Sequence, residues 1–106
     1  MTKPIAIYMR VSTVGQDTAS QEPELDAWAE GQKAKILRLS EKVSGRAAVR
    51  PEWDKLYQMI LKREISQLVV WRLDRLGRTA SQLTKLFDEL QIAGINLVSL
   101  KDGIDL

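Results

Sequence analysis

Residues 67–72 read Gln67-Leu68-Val69-Val70-Trp71-Arg72, four apolar side chains in a row between polar ends. A strand with one wet face alternates apolar and polar positions, whereas a strand covered on both faces does not. The run is too short for an ordinary helix, and its two valines favour extended backbone. It therefore predicts a central strand of a parallel sheet with a layer of helices on each side.

The chain on either side supplies those layers. Residues 5–11 form a first strand, with Ile5, Ile7, Met9 and Val11 on one face and Ala6 and Tyr8 on the other. Residues 12–18 are a polar loop. A helix is predicted from near Ser20 to Gly31, with Pro23 in its first turn and Leu25, Trp28 and Ala29 as its apolar stripe. Residues 34–40 are a second strand, and 42–49 a loop around Gly45. Pro51 opens a second helix striped by Trp53, Leu56, Tyr57, Ile60 and Leu61. Beyond the central strand, Thr79 and Gln82 suit a capping box for a third helix, striped by Leu83, Leu86, Phe87 and Leu90 and stopped by Gly94. Residues 95–100 are a last strand. The order βαβαβαβ, closed by right-handed crossovers, gives an α/β fold: a mostly parallel four-stranded sheet with helices on both faces.

A chain of 106 residues, 44% apolar and 28% charged, suits one soluble domain rather than a disordered segment. No apolar run approaches the ~20 residues of a membrane-spanning helix. Met1-Thr2-Lys3-Pro4 does not begin a secretory signal. Cysteine and histidine are both absent, which removes disulfides, thiol chemistry, the usual zinc ligands and the usual general base. A cytoplasmic protein is expected. The net charge of +2 is too small to imply nucleic acid, so the distribution of charge matters more. Lys42, Arg46 and Arg50 form a basic stretch without an acid, and Arg72, Arg75 and Arg78 surround one Asp.

Ligands of parallel α/β sheets bind beyond the carboxyl ends of the strands. There the first strand delivers Arg10, Ser12 and Gln16, and the second Glu41, followed by Lys42, Arg46 and Arg50. The third delivers Arg72, Asp74, Arg75 and Arg78, and the fourth Lys101 and Asp102. Guanidinium groups present paired donors matched to phosphate oxygens. Serine needs activation to attack, and a neighbouring Arg favours the alkoxide that develops. Asp74 could orient an Arg or handle a proton. No G-x-G-x-x-G or G-x-x-x-x-G-K-[ST] motif is present. The residues alone leave two readings open. One is a phosphate-directed site; the other is an α/β module whose polar loops are turns, caps and surface ion pairs.

Four ordered stretches are more specific. Tyr8-Met9-Arg10-Val11-Ser12-Thr13, with Gln16 and Gln21, resembles the opening motif of the serine site-specific recombinases, the resolvase/invertase family. Lys42-Val43-Ser44-Gly45 with Arg50-Pro51 resembles its second motif, and Val70-Trp71-Arg72-Leu73-Asp74-Arg75-Leu76-Gly77-Arg78 its third. Gly94-Ile95-Asn96 and Leu100-Lys101-Asp102-Gly103-Ile104-Asp105 resemble the family's next strand and turn.

The resemblance implies site-specific DNA recombination through a 5′-phosphoserine intermediate, with no metal or cofactor. It implies Ser12 as nucleophile, Arg10, Arg75 and Arg78 around the phosphate, Arg50 in support, and Asp74 and Gln21 assisting. Tyr8, Gln16, Glu41 and Lys42 would support the site or touch DNA phosphate, Glu41 standing where the family often has Asp. Residues 1–106 would be the catalytic domain, without the family's long dimerising helix and DNA-binding domain. The implied partners are DNA and further copies of the full-length protein, as dimer and tetramer. The fragment itself would associate weakly or not at all, and no membrane is expected. The implied setting is the bacterial cytoplasm, at the nucleoid. Two other functions fit an α/β domain of this size: a non-catalytic assembly module, and a small domain binding a phosphate ligand or flavin.

Overall fold

The computed structural model of the protein describes residues 3–11, 16–42, 51–73 and 80–105. β1 (Ile5–Val11), α1 (Gln16–Glu30), β2 (Ile36–Lys42), α2 (Pro51–Leu61), β3 (Gln67–Val70), α3 (Ala80–Ala93), β4 (Asn96–Ser99) and β5 (Ile104–Asp105) succeed one another in that order. They form one sheet, ordered β2-β1-β3-β4-β5. The first four strands are parallel, and β5 pairs antiparallel with β4.

Alternation along the strands divides the interior into two layers. Ala6, Tyr8, Leu68 and Val70 face α2 and α3, where they meet Trp53, Leu56, Ile60, Leu86 and Leu90. Ile5, Ile7, Val69 and Val98 face the other way, onto Leu25 and Ala29 of α1. Leu68, Val69 and Val70 are all 0% exposed, as the unbroken apolar run of β3 requires. α3 ends where Gly94 takes a φ of 72°, and the Ile95 amide donates back to the Leu90 carbonyl.

Several boundaries differ from the sequence expectation. α1 begins at Gln16, so part of the expected polar loop is helical, and Pro23 lies inside the helix rather than in its first turn. Pro23 is exposed and lacks the N–H that would continue the helical ladder at that point. β2 is displaced towards the carboxyl end, so Glu41 and Lys42 both belong to the strand itself. The cause is β1, whose seven residues offer rungs as far as Val11↔Lys42. β3 stops at Val70, two residues early, and β4 spans only Asn96–Ser99. Leu61 is half-exposed at the end of α2 and leaves the buried stripe. β5 was not expected. The proposed cap Thr79 lies outside the described residues.

Candidate active site

The strand order sets where a ligand would bind. From β1 the chain crosses by α1 to β2 on one side, and from β3 it crosses by α3 to β4 on the other. The two helices lie on opposite faces of the sheet. The carboxyl ends of β1 and β3 thus flank a topological switch point, the position where open α/β sheets bind ligands. Among the described residues the β1–β3 ladder ends at Ile7↔Val69, and β1 continues to Val11 on β2 alone.

The candidate residues lie just past these strand ends in sequence. Ser12 directly succeeds β1, and Asp74, Arg75 and Arg78 succeed the end of β3. Ser12, Arg50, Asp74, Arg75 and Arg78 themselves lie outside the described residues. Of five others the structure places the backbone. Arg10 pairs with Glu41 across the β1–β2 ladder, Val11 with Lys42, and Gln16 and Gln21 lie on α1. Tyr8 is fully buried, its ring edge-on to Trp53 at 5.3 Å between centroids. It packs in the core layer shared with α2 and α3.

Around the carboxyl ends of β3 and β4 the described side chains form a connected polar cluster. The Trp71 indole N–H donates to Glu24 of α1 at 2.9 Å, and Lys101 Nζ lies 3.0 Å from the other Glu24 oxygen. Arg72 and Lys101 both lie over the Trp71 ring, at 4.7 and 5.8 Å from its centroid. Asp102 accepts from the Leu73 amide at 2.9 Å and from the Ser99 hydroxyl at 2.7 Å.

These contacts explain the electrostatics. The Lys101 ammonium, the Trp71 N–H and the more distant Arg72 hold the Glu24 carboxyl below its ordinary value of 4.5. The Leu73 amide, the Ser99 hydroxyl and then Arg72 lower Asp102 from 3.8. Desolvation opposes both shifts and is outweighed. The sequence reading missed Glu24 entirely. Its partners are 47 and 77 residues away, and no local pattern signals them.

Among the described residues, clefts also open away from this edge. One of about 490 Å³ is lined by Phe87, Leu90, Gln91, Gly94, Ile95 and Asn96, at the amino end of β4. That lining has no cation for a phosphate. Among the described residues no group of three or more acidic side chains is placed to hold a metal ion, and no helix is long and apolar enough to cross a membrane.

Known proteins share most of this chain. A family described as "Resolvase, N terminal domain" matches residues 5–106. A DNA-invertase of Escherichia phage P1 is 43% identical over 98 residues, covering 92% of this chain and 49% of that protein. The transposon Tn552 resolvase of Staphylococcus aureus is 38% identical over 99 residues, covering 93% of this chain and 47% of that protein. Among solved structures, the N-terminal catalytic domain of TP901-1 integrase superposes with a TM-score of 0.73 at 27% identity, covering 97% of this chain and 81% of that one. The chain spans about half the length of the curated relatives it matches.

Proposed function

This chain belongs to the resolvase family, matching its N-terminal domain, and from that premise we propose that it is the catalytic domain of a site-specific DNA recombinase. The observation that carries the reading is the switch point: β1 and β3 are parallel neighbours, and the motifs with Ser12 and with Asp74, Arg75 and Arg78 come directly after their carboxyl ends.

Ser12 Oγ attacks a backbone phosphorus of DNA. A serine–phosphate bond forms as the bond from phosphorus to the 3′-oxygen breaks. The proton that Ser12 loses is passed to the 3′-oxygen, with the Asp74 carboxylate as its carrier, so the leaving group departs as a 3′-hydroxyl and the 5′-phosphate stays on the protein. Arg10, Arg75 and Arg78 match the growing charge on the phosphoryl oxygens with fixed donors, with Arg50 in support. One phosphate ester replaces another, so resealing is the reverse attack by a 3′-hydroxyl and no high-energy cofactor is consumed. Gln21 assists, and Gln16, Glu41 and Lys42 support the site from α1 and β2. Rejoining to a new partner needs several active serines, so the full-length protein works as a dimer and tetramer on paired DNA sites, in the cytoplasm at the nucleoid.

Ser12→Ala in the full-length protein tests this. It is expected to abolish DNA cleavage while leaving thermal stability and DNA affinity close to wild type. Cleavage at the wild-type rate would overturn the assignment.

A further inference from the structure

The β3–β4 ladder does not stop where the strands do. Its last strand rung is Val70↔Ser99. Past it, the Leu100 amide donates to the Val70 carbonyl at 3.1 Å, and the Lys101 amide to the Trp71 carbonyl at 2.9 Å. The next contact reverses direction and uses a side chain: the Leu73 amide donates to Asp102 Oδ2. The same oxygen accepts the Ser99 hydroxyl, and Ser99 is 1% exposed. A buried hydroxyl thus steadies the carboxylate from below, while Gly103, at a φ of 67°, turns the chain back into β5. Leu73 is held twice, by this amide bond and by its side chain, which packs against the α2–α3 core layer. It is also the last residue before Asp74 and Arg75 in sequence.

We propose that Asp102 is a positioning residue for the arginine segment. By holding the Leu73 amide it fixes the point from which residues 74–79 depart. The role rests on the recombinase reading above. Catalysis by fixed donors tolerates little misplacement, about 1 Å being enough to cost on the order of 100-fold in rate. The turn after β4 is thereby tied to the segment after β3, although 29 residues separate the two bonded groups.

The test compares Asp102→Ala, Asp102→Asn and Ser99→Ala in the full-length protein. Two readouts are used: hydrogen exchange at the Leu73 amide, and single-turnover formation of the covalent adduct on duplex DNA carrying its recombination site. Asp102→Ala is expected to lose protection at Leu73 and to slow adduct formation about 30- to 100-fold, with DNA affinity within about twofold of wild type. Asn keeps an acceptor oxygen for the amide, so Asp102→Asn is expected to restore protection and most of the rate. Ser99→Ala, which leaves the carboxylate in place but unsteadied, is expected to fall between wild type and Asp102→Ala in both readouts, and it serves if Asp102→Ala does not fold. Adduct formation by Asp102→Ala at the wild-type rate would overturn the positioning role, as would failure of Asp102→Asn to rescue. A wild-type protein that forms no adduct would instead overturn the recombinase reading, and the positioning role with it.

Discussion

Arg10, Arg75 and Arg78 are assigned to a phosphate whose charge is redistributed as Ser12 attacks. Donors that act mainly in the transition state change rate more than affinity. Removal of each Arg is therefore expected to raise the cleavage barrier by about 2–4 kcal/mol, and Arg→Lys to restore only part of it, because Lys lacks the planar fork. DNA affinity should move much less. Single-turnover cleavage beside a DNA titration measures both; an unchanged cleavage rate would make that Arg a structural partner only. Glu24 carries a prediction of its own. Its folded carboxyl lies below the ordinary 4.5, lowered first by Lys101 and then by Trp71. A lowered carboxylate stabilises the fold fully above the unfolded value and loses that contribution as pH falls through the folded one. Thermal stability should hold above about pH 5 and decline below it, and Glu24→Gln should decline less steeply. An identical acid limb for both proteins would remove Glu24 from the pH response.

At the scale of elements, what could be read from the sequence depended on how local its cause was. β3 was legible because coverage on both faces leaves a run of apolar residues. The stripe of α2 at Trp53, Leu56 and Ile60 was legible because it repeats along one helix. Strand ends were not legible, since pairing partners fix them. β2 runs to the charged Glu41 and Lys42 because β1 offers it rungs, and an edge strand tolerates such residues. β5, with two residues, has no period to detect. In the candidate site, the described residues Arg72, Lys101 and Asp102 could be assigned to the carboxyl ends of β3 and β4 from parallel topology. The bonds from Glu24 to Trp71 and from Asp102 to Leu73 could not, because they join elements distant in sequence. Arg63 was invisible for a different, local reason: it follows α2 at a φ of 57° where no glycine marks the turn, a conformation that costs a non-glycine residue about 1 kcal/mol. Arg63→Gly is expected to raise stability by about 0.5–1 kcal/mol, less whatever the added freedom of the unfolded chain removes. Chemical denaturation measures it, and a clear loss would show that the Arg63 side chain holds contacts worth more than the strain.

For the molecule as a whole, two buried layers on one sheet give residues 1–106 a core of their own. These residues are expected to melt in one cooperative transition, to sediment mainly as a monomer, and to bind duplex DNA weakly. A net charge of +2 supplies little of the phosphate neutralisation on which non-specific affinity depends. A stable tetramer that recombines DNA would contradict this. On the proposed mechanism arginine donors take the phosphate charge in the full-length protein, so cleavage should survive excess EDTA; strict dependence on magnesium would assign that charge to a metal. The proposed cleavage and rejoining both depend on a covalent bond between Ser12 and DNA. The most direct measurement is mass spectrometry of the protein trapped on its DNA site, digested with protease and nuclease. The predicted result is one modified peptide, carrying a nucleotide joined through its 5′-phosphate to Ser12. No adduct, a 3′-phosphate linkage, or modification at another residue such as Tyr8 would contradict it.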